Sequence, residues 1–509
     1  MRPRNRAVAV GVLLAAALVF RLCLAVWYPS DEADDSAFYK LAARNVVLHG
    51  VYSGETEPPW VPTYVRVPGY SLFIAAVYGI AGVDNDTAVR IAQAAVDTAT
   101  CWFVACLALA LTPRTWLPQR RRRAQLAALA LAAACPFSAA YVMPILTEAL
   151  ALALGTALAW FAARGLAGMA EGPDRSSGVP RRTGWWWLAA GLAGGALTMV
   201  RPEGGVLTAG AGVALVIVSL WRSVAARQAW RGAVSVVLRA GAMLCLGFLV
   251  FDGAWIVRNA LVFGDFQPLN PRSLSMPGDY EFTGYNRWLK TWLDDPKYIG
   301  PFYFEVDRSR MPVDQLPARA VDSPQERQLV AELFALYNDG SPTPGTAAPA
   351  PHAPPAGLKQ ALDQRFGRLA DERIRRHPVR YYLLLPAQRL FRIWVGPHAQ
   401  YYPFDGDLFP LKDLDTRTYQ HIWLPLFAGL VMVWSVFGLV GGAGLLADPS
   451  ARAGLLLVLL VTVPRLAFIG SMENPEPRYT VELFPLLSAL GGVATAKLWP
   501  PGRDAAADA

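Results

Sequence analysis

Charge is what this 509-residue sequence has least of: 17% of its residues are Asp, Glu, Lys or Arg, against 54% that are hydrophobic. Average soluble domains carry about 25% charged residues, so an ordinary water-soluble globule is excluded. Cysteine is scarce too. Cys23, Cys101, Cys106, Cys135 and Cys245 all fall inside apolar runs, so neither a disulfide framework nor a cysteine-based metal cluster is built from them. The five histidines are scattered without ligand spacing.

What is present is apolar length. Several runs reach about 20 residues, enough for a helix to cross the hydrocarbon core, and the mean hydropathy is +0.28. The expected fold class is an all-α polytopic membrane protein with about ten transmembrane helices, within a range of nine to twelve. The net charge of +8 does not point to nucleic acid, because the arginines gather in short segments between apolar runs. That is the positive-inside pattern of a protein whose surroundings are membrane lipids.

Arg2, Arg4 and Arg6 place the N-terminus in the cytoplasm, and the apolar run that follows reads as a retained helix over 7–28 rather than a cleaved signal. The next run, "PGYSLFIAAVYGIAG" (68–82), is too short to span comfortably. Counting it would also put Arg114 and Arg120 to Arg123, in a loop without one acid, on the wrong side. It is expected to lie on the outer surface as an amphipathic juxtamembrane helix. Spans follow at 88–112, 124–142, 145–166, 185–200, 203–221, 233–255, 419–445, 454–470 and 480–498, with both termini cytoplasmic.

This divides the chain into an N-terminal transmembrane module (1–255, with first outer loop 29–87), a long extracytoplasmic segment (256–418) and C-terminal transmembrane helices (419–509). Within the middle segment, 339–357 is rich in Pro, Ala and Gly and reads as disordered. The stretch "LADERIRRHPVRYYLLLPAQRLFRIWVG" mixes basic and apolar residues at helical spacing, as in an amphipathic helix returning to the interface.

The outer ends of the spans hold most of the informative polar residues. Asp31, Glu32, Asp34 and Asp35 stand within five positions directly after the first span. Arg66 opens the surface segment, Arg90 and Gln93 begin the second span, and Glu148 lies between the third and fourth. Arg201 and Glu203 join the fifth and sixth, Arg258 ends the seventh, and Glu476 and Arg478 precede the last. Taken singly, an arginine at a helix end anchors by snorkelling, a glutamate there complements the helix dipole, and an acidic run is a solvated face. Taken together they bring carboxylates and guanidinium groups to one side from six segments. Such groups are costly near the apolar boundary unless they line a polar cavity. A pocket of this kind suits a reaction with a general base and an anionic leaving group.

The motifs "DDSAFYKLAARNVVLHG", "RVPGY", "VRIAQ", "ILTEAL", "RPE", "WIVRN" and "EPRY" occur in that order on that side. On these residues the chain resembles the bacterial membrane glycosyltransferases of the glycosyltransferase C superfamily, most of all the branch of protein O-mannosyltransferases and lipid A aminoarabinose transferases. The resemblance spans the first seven helices and the last two; 270–370 shows none. It implies an inner-membrane enzyme that transfers a sugar from a polyprenyl-phosphate donor to a hydroxyl of a glycan, lipid or protein acceptor on the extracytoplasmic side.

In that family an aspartate of the first outer loop, four residues before an aromatic, acts in catalysis. Here the spacing joins Asp35 to Tyr39, with Asp34 the adjacent alternative. Glu148 matches a second acid, which would orient the acceptor or share the base role, and Arg90 matches an arginine at the start of the second span. The implied chemistry is direct displacement with inversion, as in inverting glycosidases. The carboxylate takes the acceptor's proton, and Arg66, Arg90, Arg258 and Arg478 are candidates to neutralise the departing phosphate. Tyr39, Gln93, Arg201, Glu203 and Glu476 are further site candidates. No soluble DxD-bearing domain is visible for a nucleotide sugar. No cofactor is required by this scheme, and a metal is not predicted, although two carboxylates could hold a divalent ion.

Two other readings compete. A lipid-sugar flippase would use charges within the spans, of which Arg21, Asp97, Arg239, Asp252 and Arg465 are present. It would also show inverted repeats and broken helices, and no repeat relates the two halves. A non-catalytic protein of envelope polysaccharide assembly would share the fold but not need the intact Asp34/Asp35, Glu148 and Arg90.

Overall fold

The computed structural model describes residues 3–30, 34–169, 181–225, 230–270, 282–306, 309–339, 356–402, 404, 418–474 and 476–499. The stretch 339–357, expected to be disordered, lies almost wholly outside the described residues, as do Asp31, Glu32 and the side chain of Asp34. In chain order the helices are α1 (Pro3–Trp27), α2 (Asp34–His49), α3 (Gly69–Ala81), α4 (Asp86–Leu111), α5 (Pro118–Ala134), α6 (Pro136–Ala139), α7 (Glu148–Gly168), α8 (Arg181–Val200), α9 (Gly204–Ala225), α10 (Trp230–Phe263), α11 (Thr283–Leu289), α12 (Pro324–Asp339), α13 (Ala356–Arg376), α14 (Leu385–Val395), α15 (Thr418–Ala447), α16 (Arg452–Gly470) and α17 (Phe484–Leu498). No strand occurs among the described residues.

Two compact units result. The first comprises 1–271, 397–465 and 481–509, and the second 272–396 and 466–480. Among the described residues eight helices are long and apolar enough to cross a membrane, or nine if the bent pair α5 and α6 counts as one span. The less apolar α8, of 20 residues, occupies the remaining expected segment. The protein is an all-α polytopic membrane protein. The short apolar α3 has 13 residues, about 20 Å at 1.5 Å per residue, less than the hydrocarbon thickness.

Local chemistry explains where helices depart from the expected ranges. The third span bends by 46° at its break, where Pro136 removes a backbone donor. The first outer loop contains a 16-residue helix, α2, opening on Asp34 and Asp35, whose charges suit a helix N-terminus. Helix α10 runs past 255 to Phe263, so Arg258 lies within it. The basic-apolar stretch expected as one amphipathic helix is divided. Helix α13 ends at Arg376, Pro378 follows, and α14 starts at Leu385.

In the first unit α8 and α10 touch through bare backbone. A Cβ on Gly191 would lie 2.1 Å from the Leu244 carbonyl oxygen, and one on Gly195 2.4 Å from that of Phe248. Small residues four apart allow this approach between membrane helices. Elsewhere Arg21 of α1 donates to Asp97 of α4 at 2.5 Å, and its other nitrogens donate to the carbonyls of Ala17, Ala132 and Ala133. This buried pair ties three helices, which supplies a structural use for two of the charges a flippase would need.

Candidate functional site

Helical spacing places Asp35, Phe38 and Tyr39 on one face of α2. Arg66, in the segment before α3, meets that face. Its Nη2 donates to Asp35 Oδ1 at 2.6 Å and its Nη1 to the Tyr39 hydroxyl at 3.2 Å. The guanidinium also lies over the rings of Phe38 and Tyr39. The Asp35 and Arg66 side chains keep 23% and 20% of their surface exposed, so the ion pair is within reach of a substrate. Burial favours the uncharged Arg66, but Tyr39 and Asp35 outweigh it and raise its pKa, so it remains a cation. Burial raises the Tyr39 pKa against the pull of Arg66, and the hydroxyl stays protonated.

A second cluster is built on Glu148, the first residue of α7 and 1% exposed. It accepts from Arg201 Nη1 at 2.8 Å, while Arg201 Nε donates to Glu203 at 2.7 Å and lies 3.3 Å from Glu482. Arg465 pairs with Glu482 at 2.6 Å and approaches Glu203 at 3.8 Å. Three acids and two guanidinium groups thus alternate in a buried network. Burial opposes the charge on Arg201, but Glu203, Glu148 and Glu482 together raise its pKa well above the ordinary value. Burial also opposes ionisation of Glu203, yet Arg201 and Arg465 hold its pKa below 4.5.

The stretch between α6 and α7 joins the clusters. Arg90 Nε donates to the Met143 carbonyl at 2.8 Å, Gln93 Nε2 to Pro144 at 2.9 Å, and Ser36 Oγ to Ile145 at 2.9 Å. Gln93 also accepts from the Tyr70 hydroxyl, and the Tyr70 ring meets Tyr39 edge-on at 5.1 Å. The charge of Glu148 is felt at both Tyr39 and Tyr70. Arg90 and Gln93 therefore pin the approach to Glu148.

Beside these groups lies a cavity of 740 Å³, walled by α3, α4, α7, α8 and α10. Its lining is apolar except for Tyr52 and Arg258. Arg258 donates to the Thr63 carbonyl at 2.9 Å and to Asn259 Oδ1 at 2.8 Å, and sits over Trp255. The Tyr52 hydroxyl donates to the Arg66 carbonyl at 3.1 Å and its ring meets Trp255, so it links Arg258 to the Asp35 cluster.

The first unit thus gathers Asp35, Tyr39, Arg66, Arg90, Gln93, Glu148, Arg201 and Glu203, with Arg258 at the cavity. The backbone of Asp34 opens α2 beside Asp35. Arg478 and Glu476 belong to the second unit, where they pair with each other at 2.5 Å. Tyr52, Tyr70, Arg465 and Glu482 are members that the sequence did not mark as site residues. For the last two, a signal existed: opposite charges within apolar runs need one another.

No protein-family profile and no curated protein matches this chain. Among solved structures it is similar to the archaeal oligosaccharyltransferase AglB from Archaeoglobus fulgidus, in complex with an inhibitory peptide and a dolichol-phosphate. The identity is 11% and the TM-score 0.48, over 96% of this chain and 50% of that one. It is also similar to ArnT from Cupriavidus metallidurans bound to undecaprenyl phosphate, at 16% identity and a TM-score of 0.38, over 96% of this chain and 78% of that one. The chain spans about half the length of AglB.

Proposed function

We propose that this chain is a membrane glycosyltransferase of the glycosyltransferase C type. It transfers a sugar from a polyprenyl-phosphate donor to an acceptor hydroxyl, with inversion, at the extracytoplasmic face of a bacterial inner membrane, with both termini in the cytoplasm. The observation that carries this reading is the Asp35–Arg66 pair, half-open to substrate, beside a 740 Å³ apolar cavity that ends at Arg258. A polyprenyl tail needs apolar walls and its phosphate needs a guanidinium group; both are present in one place.

In this mechanism the acceptor oxygen attacks the anomeric carbon, the carbon–oxygen bond to phosphate breaks, and the acceptor proton passes to Asp35. Polyprenyl phosphate leaves as an anion, met by Arg66 and Arg258. Asp34, whose side chain lies outside the described residues, is the alternative base. Glu148, held by Arg201, orients the acceptor. The scheme draws on no cofactor.

The test is transfer in nanodiscs from undecaprenyl phosphate carrying a labelled hexose, followed by release of undecaprenyl phosphate. Release that needs Asp35 or Asp34 supports the reading. Release unaffected by the Asp34→Asn/Asp35→Asn double substitution overturns it. Movement of the intact lipid-sugar across the bilayer without release would instead establish the flippase.

A further inference from the structure

The second unit carries a cleft that the chemistry above does not use. It has a volume of 570 Å³, within the roughly 300–1,000 Å³ of small-ligand sites. Its origin is in the sequence. Helices α11 and α13 cross at Gly284 and Gly367, and a Cβ on Gly284 would lie 2.1 Å from the Asp363 carbonyl oxygen and 2.9 Å from the Gly367 nitrogen. With no side chains between them at the crossing, the helices meet through backbone, and the flanking side chains stand up as walls. Gln364, Arg368 and Asp371 recur on α13 at spacings of four and three, along one helical face. Arg287 and Lys290 face them, and Tyr381 closes one side.

Charge decides what class of ligand fits. Arg287 is neutralised by Asp371 at 2.9 Å, and Lys290 by Glu473 at 2.9 Å. Asp363 is taken up by the Tyr285 backbone N–H at 2.8 Å. Among the described lining residues, the exposed Arg368 is the one cation beyond these pairs, so the cleft is poorly suited to a polyanion. It offers instead an amide, planar guanidinium and carboxylate groups, and an aromatic ring. Those are the groups that pair with the hydroxyls of a polyol and cover its C–H face. Burial raises the pKa of Tyr381, which keeps its hydroxyl as a donor.

We propose that this cleft binds a saccharide. Saccharide binding here stands independently of the glycosyltransferase reading. Gln364 and Arg368 supply exposed hydrogen-bonding groups, and Tyr381 supplies the surface on which a pyranose ring lies.

The experiment measures binding of maltotetraose, mannotetraose and galactotetraose to the full chain in nanodiscs, by saturation-transfer NMR and titration. At least one tetraose should bind. Gln364→Ala/Arg368→Ala and Tyr381→Ala should each weaken it at least tenfold, while Glu372→Ala, on α13 but outside the cleft lining, should not. Asp35→Asn should bind as the wild type does, which separates failure of this site from failure of the proposed catalysis. No binding of any tetraose, equal binding by the cleft variants, or displacement of the bound tetraose by inorganic phosphate at low millimolar concentration would each overturn the proposal.

Discussion

Asp35 and Arg66, 31 residues apart, meet at 2.6 Å where α2 faces the segment leading into α3. The pair fixes the carboxylate while leaving part of it uncovered. If Asp35 is the base, Asp35→Asn should lower kcat by about 10²–10⁴-fold, the usual contribution of a positioned base. Donor binding should change little. Single-turnover release of polyprenyl phosphate from saturated enzyme measures this, and the parallel Asp34→Asn variant shows which carboxylate carries the role.

Arg66 bonds two partners and stacks on two rings, a task for a planar fork rather than a point charge. Arg66→Lys should therefore behave almost like Arg66→Ala, with transfer falling at least tenfold in both. A lysine that restored wild-type turnover would show that charge alone suffices. Steady-state kinetics against donor concentration distinguishes the two.

Arg201 is shared by Glu148, Glu203 and Glu482. Its replacement by Met leaves buried acids with too few cations, which costs about 3–5 kcal/mol when a buried charge loses its partner. Thermal unfolding in detergent should show the loss, and adding Glu148→Gln should recover part of it. The pH dependence follows from Glu203. Its pKa is lowered on folding, so its stabilisation is present above the ordinary carboxyl value of 4.5 and is lost as pH falls through the folded value. Glu203→Gln should flatten the acid limb of melting temperature against pH and leave the neutral region level.

Ala153 lines the cavity beside Arg258. Ala153→Trp should fill space needed by a long lipid tail. KM for an undecaprenyl donor should rise at least tenfold, whereas a donor with a two-isoprene tail should be used as before. Equal impairment of both donors would point to a general packing defect.

Gly191 lies against the backbone of α10. Gly191→Val forces a contact that has no flexible side chain to yield, so overpacking should cost about 1–3 kcal/mol or more. A lowered melting temperature, with faster hydrogen exchange in both helices, is the expected readout.

Much of this molecule is readable along the chain. Apolar run length and arginine placement locate the helices, because crossing a bilayer demands about 20 apolar residues and leaves little choice of element. The same reasoning recognised that 68–82 is too short to span, and it singled out Asp35, Glu148 and Arg201 because ionised groups at that depth need a purpose. It missed helix α2, because the acids of the first loop read as part of a site and not also as a helix start. It also missed the division at Pro378.

Which groups pair with which was settled only in three dimensions. Arg90, a candidate for phosphate, places its Nε on the Met143 carbonyl. Arg465, noted in the sequence only as a charge within a span, and Glu482 complete the network around Arg201. The sequence by itself determined where the long apolar helices run and which of their ends carry charge, because burial in lipid acts on each segment separately. The tertiary structure alone decided the ion pairs and the cavity, because these depend on side chains from distant segments meeting within about 3 Å, a distance that composition and periodicity do not encode.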